Sequence, residues 1–177
     1  GGHTSMAYLG VLSGYQTFDQ VMNDPTLREH FRRLQLDEIV PSIDTELPFD
    51  VHAYVKTVEK RLSSPANRDE LERICMDGFT KFHTFIVPSL KKCLEQGKHP
   101  VHMYLSIAGW YRYARLFAEG SSKIRYDEPN WQLLEPLIRE GEVDAFLSSE
   151  RLWGDLPPSF KKDMRHILLN GGDKLPS

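Results

Sequence analysis

The sequence predicts a mainly α, all-α fold: a single multi-helix bundle spanning residues 1–177. Three observations point there. Apolar residues recur at three- and four-residue steps along most of the chain, the spacing of one helix face. No convincing alternating run marks a strand, although a short one could hide near Ser122 to Tyr126. Asp, Pro and Gly fall where helices start and stop. A domain of about 150 residues buries roughly 70% of its unfolded surface, so this length can enclose a core.

The elements follow in order. In Met6 to Met22, Tyr8, Leu9, Leu12, Tyr15, Phe18 and Met22 line one face of a helix. Asn23-Asp24-Pro25 stops it and starts another, with Asp24 as cap and Pro25 at the first helical position, running to about Val40. Its charges, Arg28-Glu29-His30 and Arg32-Arg33, read as a solvated face. Pro41 to Phe49 is a connection. Asp50 caps a helix to about Leu62 with Val51, Tyr54, Val55 and Val58 inward, and Ser63-Ser64-Pro65 breaks it. Pro65 to Met76 reads as helix, closed by Asp77-Gly78, since Gly accepts the left-handed conformation common after a helix. Lys81 to Glu95 is the next apolar helix, with a kink or fresh start at Pro88, and Gln96-Gly97-Lys98 ends it. Val101 to Phe117, with Tyr104, Trp110, Tyr111 and Tyr113, is apolar nearly all round and belongs in the middle of the bundle. Gly120 to Asn130 is a polar loop. Helices near Trp131 to Arg139, Val143 to Ser149 and Pro158 to Leu169 complete the domain, leaving a frayed tail from Asn170 to Ser177.

Hydrophobic residues make up 40% and charged residues 27%, with a net charge of −3. Nucleic-acid and membrane-surface partners both favour a basic surplus, so neither is expected. The two cysteines, Cys75 and Cys93, make no disulfide framework and read as free, mostly buried thiols in a reducing compartment. No apolar run approaches the roughly 20 residues of a membrane span, and no signal-peptide pattern is present, so a cytoplasmic protein is expected. The chain opens Gly1-Gly2-His3. Either a tag remnant precedes Met6 or the chain is a piece of something longer.

Several chemistries lack their residues. His99 and His102 lie near Cys93, but Pro100 intervenes and no second ligand pair follows, so structural zinc is not expected. Gly171-Gly172 follows a helix and reads as a terminator, not a phosphate loop. Ser5, Ser42, Ser89 and Ser106 carry no nucleophile-elbow sequence. Two clusters remain. One is His3-Thr4-Ser5-Met6-Ala7-Tyr8-Leu9-Gly10, where His3 shares a helix face with Ala7. The other is Arg73 to Lys81, where a guanidinium and an ammonium flank a turn and could converge on one oxygen-rich ligand. Spacing alone favours two unrelated surface cations, and a stand-alone helical binding module without catalytic activity remains open.

Together the clusters carry a resemblance. Gly1 to Ser5 with Ala7-Tyr8-Leu9-Gly10 and Gly14-Tyr15 is similar to the start of the C-terminal domain in the mannitol dehydrogenase family of long-chain polyol dehydrogenases, which includes mannitol 2-dehydrogenase and fructuronate reductase. Arg73-Ile74-Cys75-Met76-Asp77-Gly78 with Lys81 is similar too. Trp110-Tyr111-Arg112-Tyr113, Asp127 to Pro129 and Trp153-Gly154-Asp155-Leu156 follow that family's order of features. The fold implied is the helical C-terminal domain of polyol dehydrogenases and of 6-phosphogluconate dehydrogenase.

The resemblance implies zinc-independent hydride transfer between a polyol or sugar acid and NAD or NADP, the cofactor being bound by an N-terminal Rossmann domain absent from this chain. It places the family's catalytic histidine on His3, which would hydrogen-bond the reacting oxygen, and puts the lysine base and the asparagine oxyanion donor just before Gly1. Arg73 and Lys81 would bind the remaining hydroxyls or a carboxylate. No metal is implied. The isolated chain is expected to be inactive. Phe79 departs from the family, where a small polar residue follows Asp-Gly, and Ser63-Ser64-Pro65 stands where an asparagine precedes the proline. Both departures bear on which substrate is taken. Leu168-Leu169-Asn170-Gly171-Gly172 echoes the missing signature, but Asp173 follows instead of histidine.

Overall fold

The computed structural model describes residues 2–43, 45–66 and 68–170. Among them there are twelve α-helices, two π-helical stretches, two short 3-10 turns and no strand. The mainly α expectation is met. Sheet-like pairing among these residues is limited to isolated bridges between Thr17 and Glu70 and between Met76 and Asp127.

The core is organised around α8 (Val101–Ala118), where every residue from Met103 to Tyr111 is buried. Helix α1 (Gly2–Leu12) lies against it and buries an unbroken run from Thr4 to Gly10. The two helices meet closely at Gly109, where a Cβ would stand 2.6 Å from Leu9 Cδ2, so any larger residue would have to displace that side chain. Aromatic rings fill the space behind: Phe82 stacks on Trp110 at 4.6 Å, and Tyr8 meets Tyr113 edge-on at 4.9 Å.

The helix expected to run through Met22 is two helices. α1 ends at Leu12 in a turn with Gly14 at φ 90°, and α2 (Phe18–Met22) starts afresh, Gln20 accepting from the Thr17 N–H at 3.2 Å. α3 (Pro25–Arg33) is capped as the sequence predicts: Asp24 Oδ1 accepts from the Thr26 and Leu27 amides at 2.9 and 3.1 Å. A π-helical stretch, Leu34–Ile39, continues it.

The charges of α3 form a solvated face only in part: Arg33 is exposed and pairs with Glu29 at 2.9 Å. Arg28 and Arg32 turn to α4 (Val51–Leu62) and grip the buried Glu59, at 3.1 and 2.8 Å. His30 turns the other way into the core, its Nε2 3.2 Å from Ser106 Oγ. Beside it the buried Glu38 caps α8, accepting from the His102 and Met103 amides at 2.8 and 2.7 Å and meeting His102 Nδ1 at 2.7 Å.

Most of the helix expected over Pro65 to Met76 does not form; only α5 (Leu71–Ile74) does. Its backbone groups are used elsewhere. Phe18 N–H donates to Asp69 O at 2.9 Å and Leu71 N–H to Gln16 O at 3.0 Å, holding residues 69–71 beside 16–18. α6 (Gly78–Lys81) runs into a π turn, Phe82–Ile86, and then α7 (Val87–Glu95). The break expected at Pro88 is this π turn: proline has no N–H to continue the ladder, and the register widens ahead of it. α9 (Trp131–Leu134), α10 (Val143–Leu147) and α12 (Pro158–Leu169) match the expected segments in whole or in part. The short α11 (Glu150–Trp153), capped by Ser149, falls in a stretch the sequence left unassigned. Gly171-Gly172 and most of the expected frayed tail lie outside the described residues. Both cysteines are buried and free, as expected. Among the described residues no helix is long and apolar enough to cross a membrane.

Candidate substrate site

The turn between α5 and α6 separates the two cations singled out in the sequence, Arg73 on α5 and Lys81 at the end of α6. Asp77 occupies the left-handed region, at φ 49°. The sequence reading assigned that conformation to Gly78, and the structure corrects it: aspartate tolerates the region, and its side chain then caps α6 by accepting from Thr80 N–H at 3.3 Å. Gly78 is needed for space. A Cβ there would stand 2.4 Å from Trp110 Nε1, 2.6 Å from the Tyr8 hydroxyl and 2.8 Å from the Tyr126 hydroxyl.

Lys81, half-buried at the end of α6, reaches back across the turn and donates from Nζ to Ile74 O at 3.0 Å. Ile74 follows Arg73 in the chain, and its carbonyl belongs to the peptide bond with Cys75. The Arg73 side chain is 83% exposed, and among the described residues its ion pair is with a neighbour on its own turn, Glu70, at 3.3 Å. That geometry leaves most of the guanidinium's donors open, and an exposed pair of this kind is easily exchanged for a ligand.

His3 stands on the first turn of α1 with its ring 5.0 Å from that of Phe18. Desolvation against its neighbours lowers its pKa below the ordinary value near 6.5, so the neutral imidazole is favoured at neutral pH. Further along α1, Gly10 packs onto α5: a Cβ there would stand 2.9 Å from Leu71 Cδ1. The helix bearing His3 and the helix bearing Arg73 are therefore direct neighbours. No hydrogen bond or ion pair joins His3 to either cation among the described residues. Phe79 does not narrow the surface beside Lys81; its side chain is buried in the core. Cys75, also in this turn, is inert, since burial pushes its thiol pKa far up.

Sequence reasoning missed the groups that hold this turn. Asp77 N–H donates to Asp127 O at 2.9 Å, tying the turn to the loop before α9. The next residue, Glu128, is buried and accepts from three donors: Phe79 N–H at 2.9 Å, the Tyr126 hydroxyl at 2.7 Å and Asn130 N–H at 3.1 Å. Burial raises its carboxyl pKa against those bonds. Asn130 Nδ2 donates to Asp77 Oδ1 and Thr80 Oγ1 at 3.3 and 3.2 Å. Trp110 Nε1 donates to the Tyr126 hydroxyl at 2.8 Å, anchoring the set in α8. The only signal in the sequence was the stretch Asp127 to Pro129, noted for its resemblance and not for these contacts.

The weighed zinc ligands are engaged within the protein. His102 meets Glu38, Cys93 Sγ donates to Glu38 O at 3.3 Å, and His99 pairs with Asp163 at 3.4 Å. Among the described residues no group of three or more His, Cys, Asp or Glu side chains is arranged to hold a metal ion.

Comparison with known proteins accords with this arrangement. The family model for the mannitol dehydrogenase C-terminal domain matches residues 1–170. A mannitol dehydrogenase of Saccharomyces cerevisiae is 36% identical over 81% of this chain, and a mannitol 2-dehydrogenase of Phaeosphaeria nodorum 31% identical over 86%. The chain spans less than a third of either relative, 29% and 27%. The solved ternary complex of Pseudomonas fluorescens mannitol 2-dehydrogenase with NAD and D-mannitol superposes on 97% of the chain, with a TM-score of 0.85 at 25% identity, and 36% of that chain is covered.

Proposed function

Because this chain belongs to the mannitol dehydrogenase family through its C-terminal domain, we propose that it is the substrate-facing domain of a zinc-independent, NAD- or NADP-dependent polyol oxidoreductase. The reaction is of the type interconverting mannitol and fructose or, with a sugar acid, mannonate and fructuronate. The observation that carries the reading is the close superposition on a mannitol 2-dehydrogenase whose complex holds NAD and D-mannitol. Among the described residues no strand leads into a glycine-rich turn, so these residues form no dinucleotide cradle. The reading therefore assigns the nicotinamide, which accepts or returns the hydride when bound, to a Rossmann-type domain outside these 177 residues. The base and the oxyanion donor are assigned outside them as well.

This chain's share is recognition and orientation. A neutral His3 can both accept from and donate to the reacting oxygen and its neighbour. Lys81 uses one N–H on Ile74 O and keeps two for substrate hydroxyls. Arg73 presents an open fork of donors. The metal-free part of the reading is supported by the engagement of His99, His102 and Cys93 with protein groups. The free, buried thiols accord with a reducing compartment, the cytoplasm.

Reading the coding sequence in frame upstream of Gly1 tests the proposal. A glycine-rich strand-turn-helix unit is expected, with a lysine and an asparagine shortly before Gly1; an upstream region with neither overturns it. In the longer protein, replacing Arg73 or Lys81 by alanine removes charged hydrogen bonds worth about 1.5–3 kcal/mol each, a fall of roughly 10- to 150-fold in kcat/KM for D-mannitol. The 177-residue chain alone should not turn over mannitol with NAD.

A further inference from the structure

We propose that Glu128 is a positioning residue of the substrate site: from the loop before α9, its carboxylate sets where the Lys81 ammonium stands. The inference rests on the reading of Lys81 as substrate-binding. α6, which carries Lys81, is four residues long. It is the first turn of a continuous helical run that extends through α7, so its leading N–H groups have no partner inside the helix and need an acceptor from outside.

Glu128 supplies it. Its Oε1 accepts the Phe79 N–H, a first-turn donor of α6 with no partner inside the helix, at 2.9 Å. Its Oε2 accepts Asn130 N–H at 3.1 Å, fixing the residue whose side-chain amide reaches Asp77 and Thr80 on both sides of the α6 start. The carboxylate is itself fixed, because Tyr126 donates to Oε1 and takes the Trp110 indole N–H in turn. The chain of contacts runs from the centre of α8 through one buried carboxylate to the backbone of α6.

From there Lys81 extends to Ile74 O. A tilt of α6 would break that bond and move Lys81 relative to Arg73, although Glu128 touches neither cation. A buried carboxylate is costly unless its oxygens are occupied. Here they are occupied by Tyr126 and Asn130 on its own loop and by Phe79 N–H on the helix that carries the lysine.

The test is made on the 177-residue chain without substrate, so it is read separately from the polyol assignment. The chain is labelled with 15N-lysine, and Lys81 is followed by its Nζ resonance and its rate of acetylation by acetic anhydride. In the unsubstituted chain Lys81 should show a hydrogen-bonded ammonium signal and slow acetylation. Glu128→Ala should move the signal to that of a free lysine and speed acetylation of Lys81 by about threefold or more, the equivalent of one weak hydrogen bond. Glu128→Gln keeps an Oε1 acceptor for Phe79 N–H but turns an amide N–H toward Asn130 N–H, so it should restore both readouts only in part. Glu59→Ala removes a different buried carboxylate and should leave Lys81 unchanged. An unmoved Lys81 signal in folded Glu128→Ala overturns the proposal, and so does an equal change in Glu59→Ala. If Glu128→Ala does not fold, Asn130→Ala removes only the amide contacts to Asp77 and Thr80. It should shift Lys81 in the same direction by less, and no shift there is equally fatal. An upstream region lacking a nucleotide-binding unit would remove the polyol reading while leaving the hold of Glu128 on Lys81 standing.

Discussion

Gly78→Ala is the smallest change that should disturb the whole site. The added methyl would lie 2.4, 2.6 and 2.8 Å from Trp110 Nε1 and the hydroxyls of Tyr8 and Tyr126, distances that real Cβ contacts essentially never show. Inserting a methyl into a packed core costs about 1–3 kcal/mol. Here the displaced atoms are also the donors and acceptors of the Trp110–Tyr126–Glu128 relay, and each bond lost adds about 1 kcal/mol. Helix propensity acts the other way, since alanine is favoured over glycine by up to about 1 kcal/mol. The sum is a destabilisation of roughly 3 kcal/mol, or a fall in Tm of about 6–12 °C for a domain of this size. Urea unfolding followed by circular dichroism, with near-ultraviolet spectra for the aromatic cluster, measures it. Gly141→Ala is the comparison: Gly141 has φ 83° and nothing within 4 Å of its would-be Cβ. That variant pays only for backbone conformation, about 1–2 kcal/mol. If Gly78→Ala costs no more than Gly141→Ala, the close packing inferred around α6 is wrong.

Other outcomes follow from the buried polar groups. His30 is held neutral by burial, and secondarily by His102, with its pKa lowered from 6.5 to about 3. The stability this represents is intact above pH 6.5 and is lost as pH falls, by up to about 1.4 kcal/mol per pH unit. The chain should therefore weaken by about 2–3 kcal/mol between pH 6.5 and 4.5; His30→Gln should flatten that part of the urea-unfolding profile, and an unchanged slope would refute the assignment. Asp24 has its pKa lowered, first by the Tyr15 hydroxyl that donates to it at 2.5 Å. Its contribution is present above the ordinary carboxylate value of 3.8 and lost as pH falls through the folded value. Tyr15→Phe should thus lower Tm at pH 7 by more than at pH 3; equal effects at both would show that the bond does not matter. Cys75 and Cys93 are buried and their thiol pKa values are raised by desolvation. Ellman's reagent should react with neither in native buffer and with both in urea, and fast native reaction at Cys75 would contradict the packing of the α5–α6 turn.

Elements bounded by Asp or Pro were legible from the sequence. α4 behind Asp50, α3 behind Asp24-Pro25 and α12 from Pro158 begin where the capping chemistry placed them. The failures each have a physical cause. Residues 69–71 spend backbone groups on residues 16–18, so no local rule could foresee how little of Pro65 to Met76 is helical. α1 stops at Leu12 because the chain turns at Gly14, φ 90°, although the apolar spacing continues to Met22. The site was legible in a different way. His3, Arg73 and Lys81 could be named only through family resemblance, because spacing by itself favoured two unrelated cations. In the structure Lys81 donates to Ile74 O, one residue after Arg73.

Three glutamates show why composition conceals such a site. Glu38, Glu59 and Glu128 are each at most 8% exposed, yet in sequence each looks like an ordinary surface acid. Each sits where donors from another part of the chain converge: the first turn of α8, two arginines of α3, or the first turn of α6. A carboxylate can be buried when such donors satisfy it, and truncating it then leaves those donors unpaired. The carboxylates at α8 and α6 cap their helices from a distance, doing what Asp24 and Asp50 do locally. Local capping leaves a mark in the sequence because donor and acceptor are two or three residues apart; capping across 49 residues, from Glu128 to Phe79, leaves none. Phe79 at the start of α6 is tied through Glu128 and Tyr126 to Trp110 of α8, while the same helical run continues past Lys81 into α7.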